Sequence, residues 1–221
     1  MFIILWHQLI YGFKLVTALE NLPGIIMDVN LFLLSALISI LSLDITIAFQ
    51  VLISSPIFSC TILGWLLGDI RLGMELGFIF QLLWLGKIPA GAHIVPEGNI
   101  ASMIAAVLIL MNRGNGWEHT TLVLVFLEAI LVSYLGSLLT LYYRKFNGKI
   151  LDLMVREVEK IHFNILLVLE MGSMFSYFLA VFFLAYLVLR LSQLFLPGLI
   201  PLVGRLFENQ FVVAKPIIIG I

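Results

Sequence analysis

Five side chains within about twenty residues carry most of the recognisable chemistry of this chain: Gln81, Trp84, His93, Glu97 and Asn99. An amide donates and accepts hydrogen bonds, a carboxylate accepts them, and an indole adds an apolar face with one N–H. That mixture suits a neutral polyhydroxylated ligand, because sugars are read by amides and carboxylates together with aromatic faces. It does not suit metal or covalent chemistry. No second His, Cys or carboxylate stands at metal-ligand spacing from His93 on a helix, and His7, His119 and His162 are scattered. There is no Gly-rich loop ending in Lys-Ser/Thr, no G-x-S-x-G elbow and no H-E-x-x-H pair. One cysteine, Cys60, forbids an intramolecular disulfide and falls short of a Cys-based metal site. The expectation is a binding site without catalytic residues, metal or cofactor.

The elements that must position these residues are set by composition. Of 221 residues, 62% are hydrophobic and 11% charged, where soluble domains average about 45–50% and about 25%. Mean hydropathy is +1.15. So few charges cannot cover a globular surface, which excludes a soluble enzyme or a disordered tail. Lys+Arg at 12 against Asp+Glu at 13 leaves a net charge of −1, with no basic footprint for nucleic acid. The apolar runs are continuous rather than alternating, which excludes a β-barrel. The expected fold is an all-α integral membrane protein, a polytopic helical bundle with re-entrant hairpins and broken helices.

Crossing ~30 Å of hydrocarbon takes about 20 mostly apolar residues. The charge-free stretch 45–68 is long enough despite Pro56, and 171–189 nearly so. Shorter runs extend across one carboxylate each: 29–53 with Asp44, 120–143 with Glu128 and 163–189 with Glu170. Residues 54–112 differ. They are apolar but punctured by prolines and glycines, and Pro89–Gly98 cannot be regular helix. Short, interrupted apolar segments of this kind mark re-entrant hairpins in transporters. Residues 144–160 hold five basic residues, with Ile150, Leu151, Met154, Val155 and Val158 at helical spacing. They read as an amphipathic segment at the cytoplasmic surface, with the Asn112–His119 loop facing outward.

The termini are read as follows. Residues 1–26 lack an early Lys or Arg and an A-x-A site, so no cleaved signal peptide is expected. They form either an interfacial helix or an extension ahead of a start at Met27. Residues 27–221 form a single membrane domain. Its last apolar run, after Lys215-Pro216, is too short to span, so the bundle stops at the interface or lacks a final helix.

Carboxylates within apolar segments are costly and usually face a cavity or a partner. Asp44 reads as a mid-helix acid, packing against Ser or Gln partners or serving the site. Asp69 beside Arg71 reads as an interfacial turn, and Glu75 pairs with Arg71 at i,i+4. Glu128 and Glu170 read as lying near helix ends or facing a partner subunit.

The same residues carry a family resemblance. Asp44, Gln50 and Pro56 stand six residues apart; Gly64-Trp-Leu-Leu-Gly-Asp-Ile-Arg-Leu-Gly73 follows as G-x-x-x-G-D-x-x-x-G. Gln81-Leu-Leu-Trp-Leu-Gly86 and Pro89-Ala-Gly-Ala-His-Ile-Val-Pro-Glu97 complete the set. Together, over roughly residues 28–110, they resemble the membrane-embedded IIC component of the mannose/fructose/sorbose class of sugar phosphotransferase systems. The resemblance implies a multi-pass permease of the bacterial plasma membrane, acting as an oligomer. Its membrane partner would be a IID subunit. Cytoplasmic IIB and IIA subunits would pass phosphate from phosphoenolpyruvate to the sugar. It assigns the phosphorylated histidines to other subunits, so His93 is no phosphate carrier. It gives sugar binding to Gln81 and Glu97; the clustering of His93, Trp84 and Asn99 with them leads to the expectation that these line the same pocket. Asp44, Gln50 and Asp69 would brace the broken segments. Ser55 and Ile45 stand where the family usually has arginine. Two other functions fit the same residues: a non-transporting scaffold or sensor for partner subunits, and a secondary transporter coupled to a proton on Asp44 or Glu97.

Overall fold

The structure is a computed structural model that describes residues 23–46, 51–86, 96–114, 116–156 and 163–211. Residues 1–22, Gln50, His93 and the run after Lys215 lie outside the described residues. Every regular element described is helical: α1 (Pro23–Thr46), α2 (Pro56–Leu66), α3 (Ile70–Leu85), α4 (Gly98–Met111), α5 (Glu118–Arg156) and α6 (Phe163–Phe211).

Two of these are long. α5 has 39 residues and α6 has 49, about 58 Å and about 74 Å at 1.5 Å per residue. Within them, Glu118–Asp152 and Val168–Arg205 are long and apolar enough to cross a membrane. Residues 144–156 continue α5 without a break. α6 runs through Pro197 and Pro201, well past the apolar stretch that ends at residue 189. The two helices form an antiparallel pair held by polar rungs. The Tyr143 hydroxyl meets Ser173 Oγ at 2.6 Å, and Asn147 Nδ2 donates to the same oxygen at 2.9 Å. Towards the other end, Ser192 Oγ donates to Glu128 Oε1. Glu128 therefore lies inside α5 and has its partner within the chain, not at a helix end. Glu170 is exposed.

The stretch 45–68 does not form one span, and no helix runs through 29–53. α1 stops at Thr46, residues 51–55 form a turn, and α2 begins at Pro56. Proline is favoured in the first helical turn, where its missing N–H costs nothing. α2, α3 and α4 contain 11, 16 and 14 residues, about 17–24 Å each, all short of a bilayer.

The G-x-x-x-G-D-x-x-x-G stretch is a helical hairpin in which each residue has a distinct task. Gly68 takes φ +84, the left-handed conformation that ends α2. The Asp69 N–H then donates to the Gly64 carbonyl at 2.8 Å, and the Gly68 N–H to that of Trp65 at 3.4 Å. Asp69 also opens α3, its Oδ1 accepting from the Leu72 N–H at 3.0 Å. Gly64 and Gly73 let the two backbones touch: a Cβ on Gly64 would lie 2.6 Å from the Gly73 Cα. Gly77 extends the seam, since a Cβ there would lie 2.7 Å from the Pro56 carbonyl oxygen. Small residues on both faces are how apolar helices approach closely enough to hold together in lipid.

α4 is the centre of the molecule. Ile100 through Leu110 are all buried, and α4 packs against all five other helices. A helix that is apolar all round is stable only when enclosed. α1 packs on α6, with Phe32 edge-on to Phe182 at 4.9 Å; its buried Ser35 and Ser39 hydroxyls return to carbonyls one turn back at 2.7 Å.

Candidate functional site

The C-terminal turn of α3 meets the first turn of α4. Gly98 lacks a Cβ where the Trp84 ring lies; an added Cβ would collide with the indole. Trp84 Nε1 donates to Ser102 Oγ at 2.8 Å, and that hydroxyl donates to the Gly98 carbonyl at 2.6 Å. The indole thus joins two short helices, and its N–H is already engaged. Gln81 lies one turn before Trp84, and Glu97 and Asn99 flank Gly98. Trp84 therefore ties the turn of α3 that follows Gln81 to the start of α4, where Glu97 and Asn99 stand on either side of Gly98.

Glu97 is fixed by α5. Its backbone N–H donates to the Ser133 carbonyl at 3.0 Å and to Ser137 Oγ at 3.1 Å. Gly136 makes room for its side chain, since a Cβ at 136 would lie 2.8 Å from the Glu97 Cβ. The carboxylate faces Thr140 and lies in the field of Arg144. Ser133, Gly136, Ser137 and Thr140 therefore make a small, polar stripe on one face of α5. Sequence inspection missed it, although small residues at i, i+3, i+4 and i+7 in an apolar helix were the available signal. These residues stand halfway along the apolar stretch Glu118–Asp152. Glu97 thus stands level with the middle of a helix long and apolar enough to cross a membrane, at the start of α4.

Gln81 is partly buried, and its Oε1 is enclosed without a hydrogen-bond partner among the described residues. An enclosed amide oxygen left unpaired costs about 1–3 kcal/mol. Asn99 is also partly buried.

Asp44 is not mid-helix. It stands in the last turn of α1, 6% exposed, and accepts from the backbone of the following turn. The Val51 N–H reaches Oδ1 at 3.0 Å and the Ser54 N–H reaches Oδ2 at 3.4 Å. Between those donors Leu52 has φ 65, a left-handed conformation unusual for a residue with a side chain. Asp69 sits at the other end of α3, about 18 Å from Gln81 by helical rise. Its ion-pair partner is Arg113, at 3.7 Å, in place of neighbouring Arg71. Arg71 instead meets Glu75 at 3.5 Å. Among the described residues no group of three or more His, Cys, Asp or Glu could hold a metal ion.

The protein-family comparison decides what this architecture is: residues 26–218 match the family described as PTS system sorbose-specific IIC component. The chain belongs to that family. This IIC chain is 32% identical over 89 residues to the PTS system sorbose-specific EIIC component of Klebsiella pneumoniae, covering 40% of this chain and 31% of that protein. It is 29% identical over 119 residues to the sorbose-specific EIIC component of Lacticaseibacillus casei, covering 54% and 41%. It is 36% identical over 55 residues to the fructose permease IIC component of Bacillus subtilis, covering 25% and 20%. The matched stretches thus span less than half the length of these relatives. In fold, the IIC chain resembles a chain from the cryo-EM structure of the mannose transporter ManYZ with microcin E492. The TM-score is 0.61 at 19% identity, over 86% of this chain and 73% of that one. A second structure, described as a membrane protein, matches with a TM-score of 0.64 at 21% identity, over 86% and 74%. The helical bundle therefore shares the fold of those chains, and the IIC chain is a membrane protein.

Proposed function

We propose that this IIC chain binds a sugar and carries it across the bacterial plasma membrane as a multi-pass subunit of a phosphoenolpyruvate-dependent phosphotransferase system. A IID membrane subunit and cytoplasmic IIB and IIA subunits are its partners. The observation that carries this reading is the junction of α3 and α4. An enclosed, unpaired amide oxygen on Gln81 and the carboxylate of Glu97 stand near the start of a broken helix at mid-membrane depth. Interrupted helices at that depth are where transporters bind their cargo, because only there can irregular backbone line a hydrated cavity.

Gln81 donates and accepts with sugar hydroxyls, Glu97 accepts, and Asn99 adds a second amide. Trp84 sets the distance between the helices and offers its ring edge. Asp44 holds the α1–α2 turn and so the base of the hairpin. Phosphate transfer belongs to the partners; this chain orients the sugar and moves it.

The test is uptake of labelled sorbose, mannose and fructose by cells producing the chain with its partner subunits. Gln81→Ala and Glu97→Ala each abolish uptake while the protein still inserts in the membrane at normal levels. Normal uptake in both variants refutes the assignment. Uptake that persists without phosphoenolpyruvate and collapses with the proton gradient points to the secondary transporter instead. Sugar-independent assembly of the partners without uptake points to a scaffold.

A further inference from the structure

A second polar region lies away from this junction. A cavity of about 500 Å³ opens between the α2–α3 turn, the end of α4 and the start of α5. Asp69, Arg71, Glu75, Arg113, Glu118 and His119 line it. Its volume falls within the ~300–1,000 Å³ range of small-ligand sites. Glu118 and Ser133 are 15 residues apart on α5, so the cavity is about 22 Å along that helix from Glu97.

The charges in the cavity argue for one class of ligand. Arg71 is paired with Glu75 and Arg113 with Asp69. Three carboxylates therefore face two guanidinium groups, a slightly negative lining that disfavours an anion, while the two arginines on its wall disfavour a cation. Phosphate would meet the carboxylates, and a cation would meet the arginines. What remains is a dense set of donors on the arginines and acceptors on the acids. A neutral polyol, whose hydroxyls both donate and accept, satisfies both sets. The side chains of Arg113 and Asp69 are 45% and 36% exposed, so such a ligand exchanges with water and is held weakly.

The cavity also has a side. α5 begins there and ends in the exposed basic residues Arg144, Lys145 and Lys149. If basic residues mark the cytoplasmic face, the cavity opens on the opposite one. We propose that it is an outer vestibule that captures the neutral sugar before it reaches Gln81 and Glu97. This rests on the sugar-permease reading above.

Leu122 lines the cavity, and the native Cys60 is buried, so Leu122→Cys introduces one accessible thiol. In intact cells producing the chain with its partner subunits, a membrane-impermeant maleimide labels that thiol from outside. Sorbose, mannose or fructose slows the labelling several-fold, and sodium phosphate does not. Glu118→Gln, at an exposed position, raises the KM for uptake several-fold with little change in maximal rate. Labelling only after permeabilisation, or labelling that no sugar slows, overturns the vestibule. So does an unchanged KM in Glu118→Gln. If Gln81→Ala still abolishes uptake, the permease reading survives that failure. If none of the three sugars is taken up by the unaltered protein, both fall together.

Discussion

Asp44 carries its charge among apolar neighbours, and its energetics turn on the two N–H groups it accepts. Those donors lie on either side of Leu52, whose left-handed backbone costs roughly 1–2 kcal/mol. Asp44→Ala removes both acceptors and should lower stability by about 1–3 kcal/mol, read as a lower melting temperature in detergent. Adding Leu52→Gly should recover about 1 kcal/mol of that loss, because glycine takes positive φ without strain. An Asp44→Ala protein that melts like the unaltered one would remove the carboxylate from this role. Gln81 presents the opposite situation. Its enclosed oxygen has no partner among the described residues, so losing it should affect sugar handling more than stability. Both residues stand out in the sequence as polar groups in apolar surroundings. Only the geometry distinguishes the satisfied one from the unsatisfied one.

At the scale of elements, the α2–α3 hairpin is held by absent side chains. Its backbones meet at Gly64 and Gly73, where any Cβ would press on main-chain atoms that cannot turn away. Gly73→Ala should therefore splay the hairpin and reduce the amount of folded protein in the membrane. Gly148→Ala, where nothing lies within 4 Å, should be tolerated and slightly stabilising, since alanine favours helix by about 1 kcal/mol. Size-exclusion profiles of the solubilised variants distinguish the two, and equal profiles would contradict the seam. Glycines and prolines in the sequence marked this region as interrupted, and Gly68-Asp69 marked the turn itself. The turn at 51–55 that separates α1 from α2 was not legible. No Gly or Pro follows residue 44 until Pro56, and hydropathy continues across the break. The turn there depends on a side chain, Asp44, capping backbone that comes after it.

For the whole molecule, α5 and α6 are the long rods, α4 packs on both of them, and α2 and α3 pack on α4. α4 is enclosed, so Ile100 through Leu110 meet protein, and its length is freed from the thickness of the bilayer. The two ends of α5 differ in charge, which fixes an orientation by the bias of cytoplasmic loops towards Lys and Arg. Lys149→Cys should react with an impermeant maleimide only after cells are permeabilised; reaction in intact cells would invert the molecule. Residues 144–156 were legible as helix from the spacing of Ile150, Leu151 and Val155. That they extend the preceding helix was not, because periodicity carries no information about where one rod ends.

By itself the sequence determined the solvent, the class and the interrupted region. Those follow from how many charges there are and where glycine and proline stand, properties that need no partner in space. It also supplied the polar residues of the candidate site. Which of them meet was decided by tertiary structure. Trp84 settles on Gly98, Glu97 donates into a stripe of small residues on α5, and Asp69 reaches Arg113 beyond its neighbour Arg71. In a chain this apolar, polar groups must find one another across helices, and those pairings depend on register and approach distance, which no local pattern encodes.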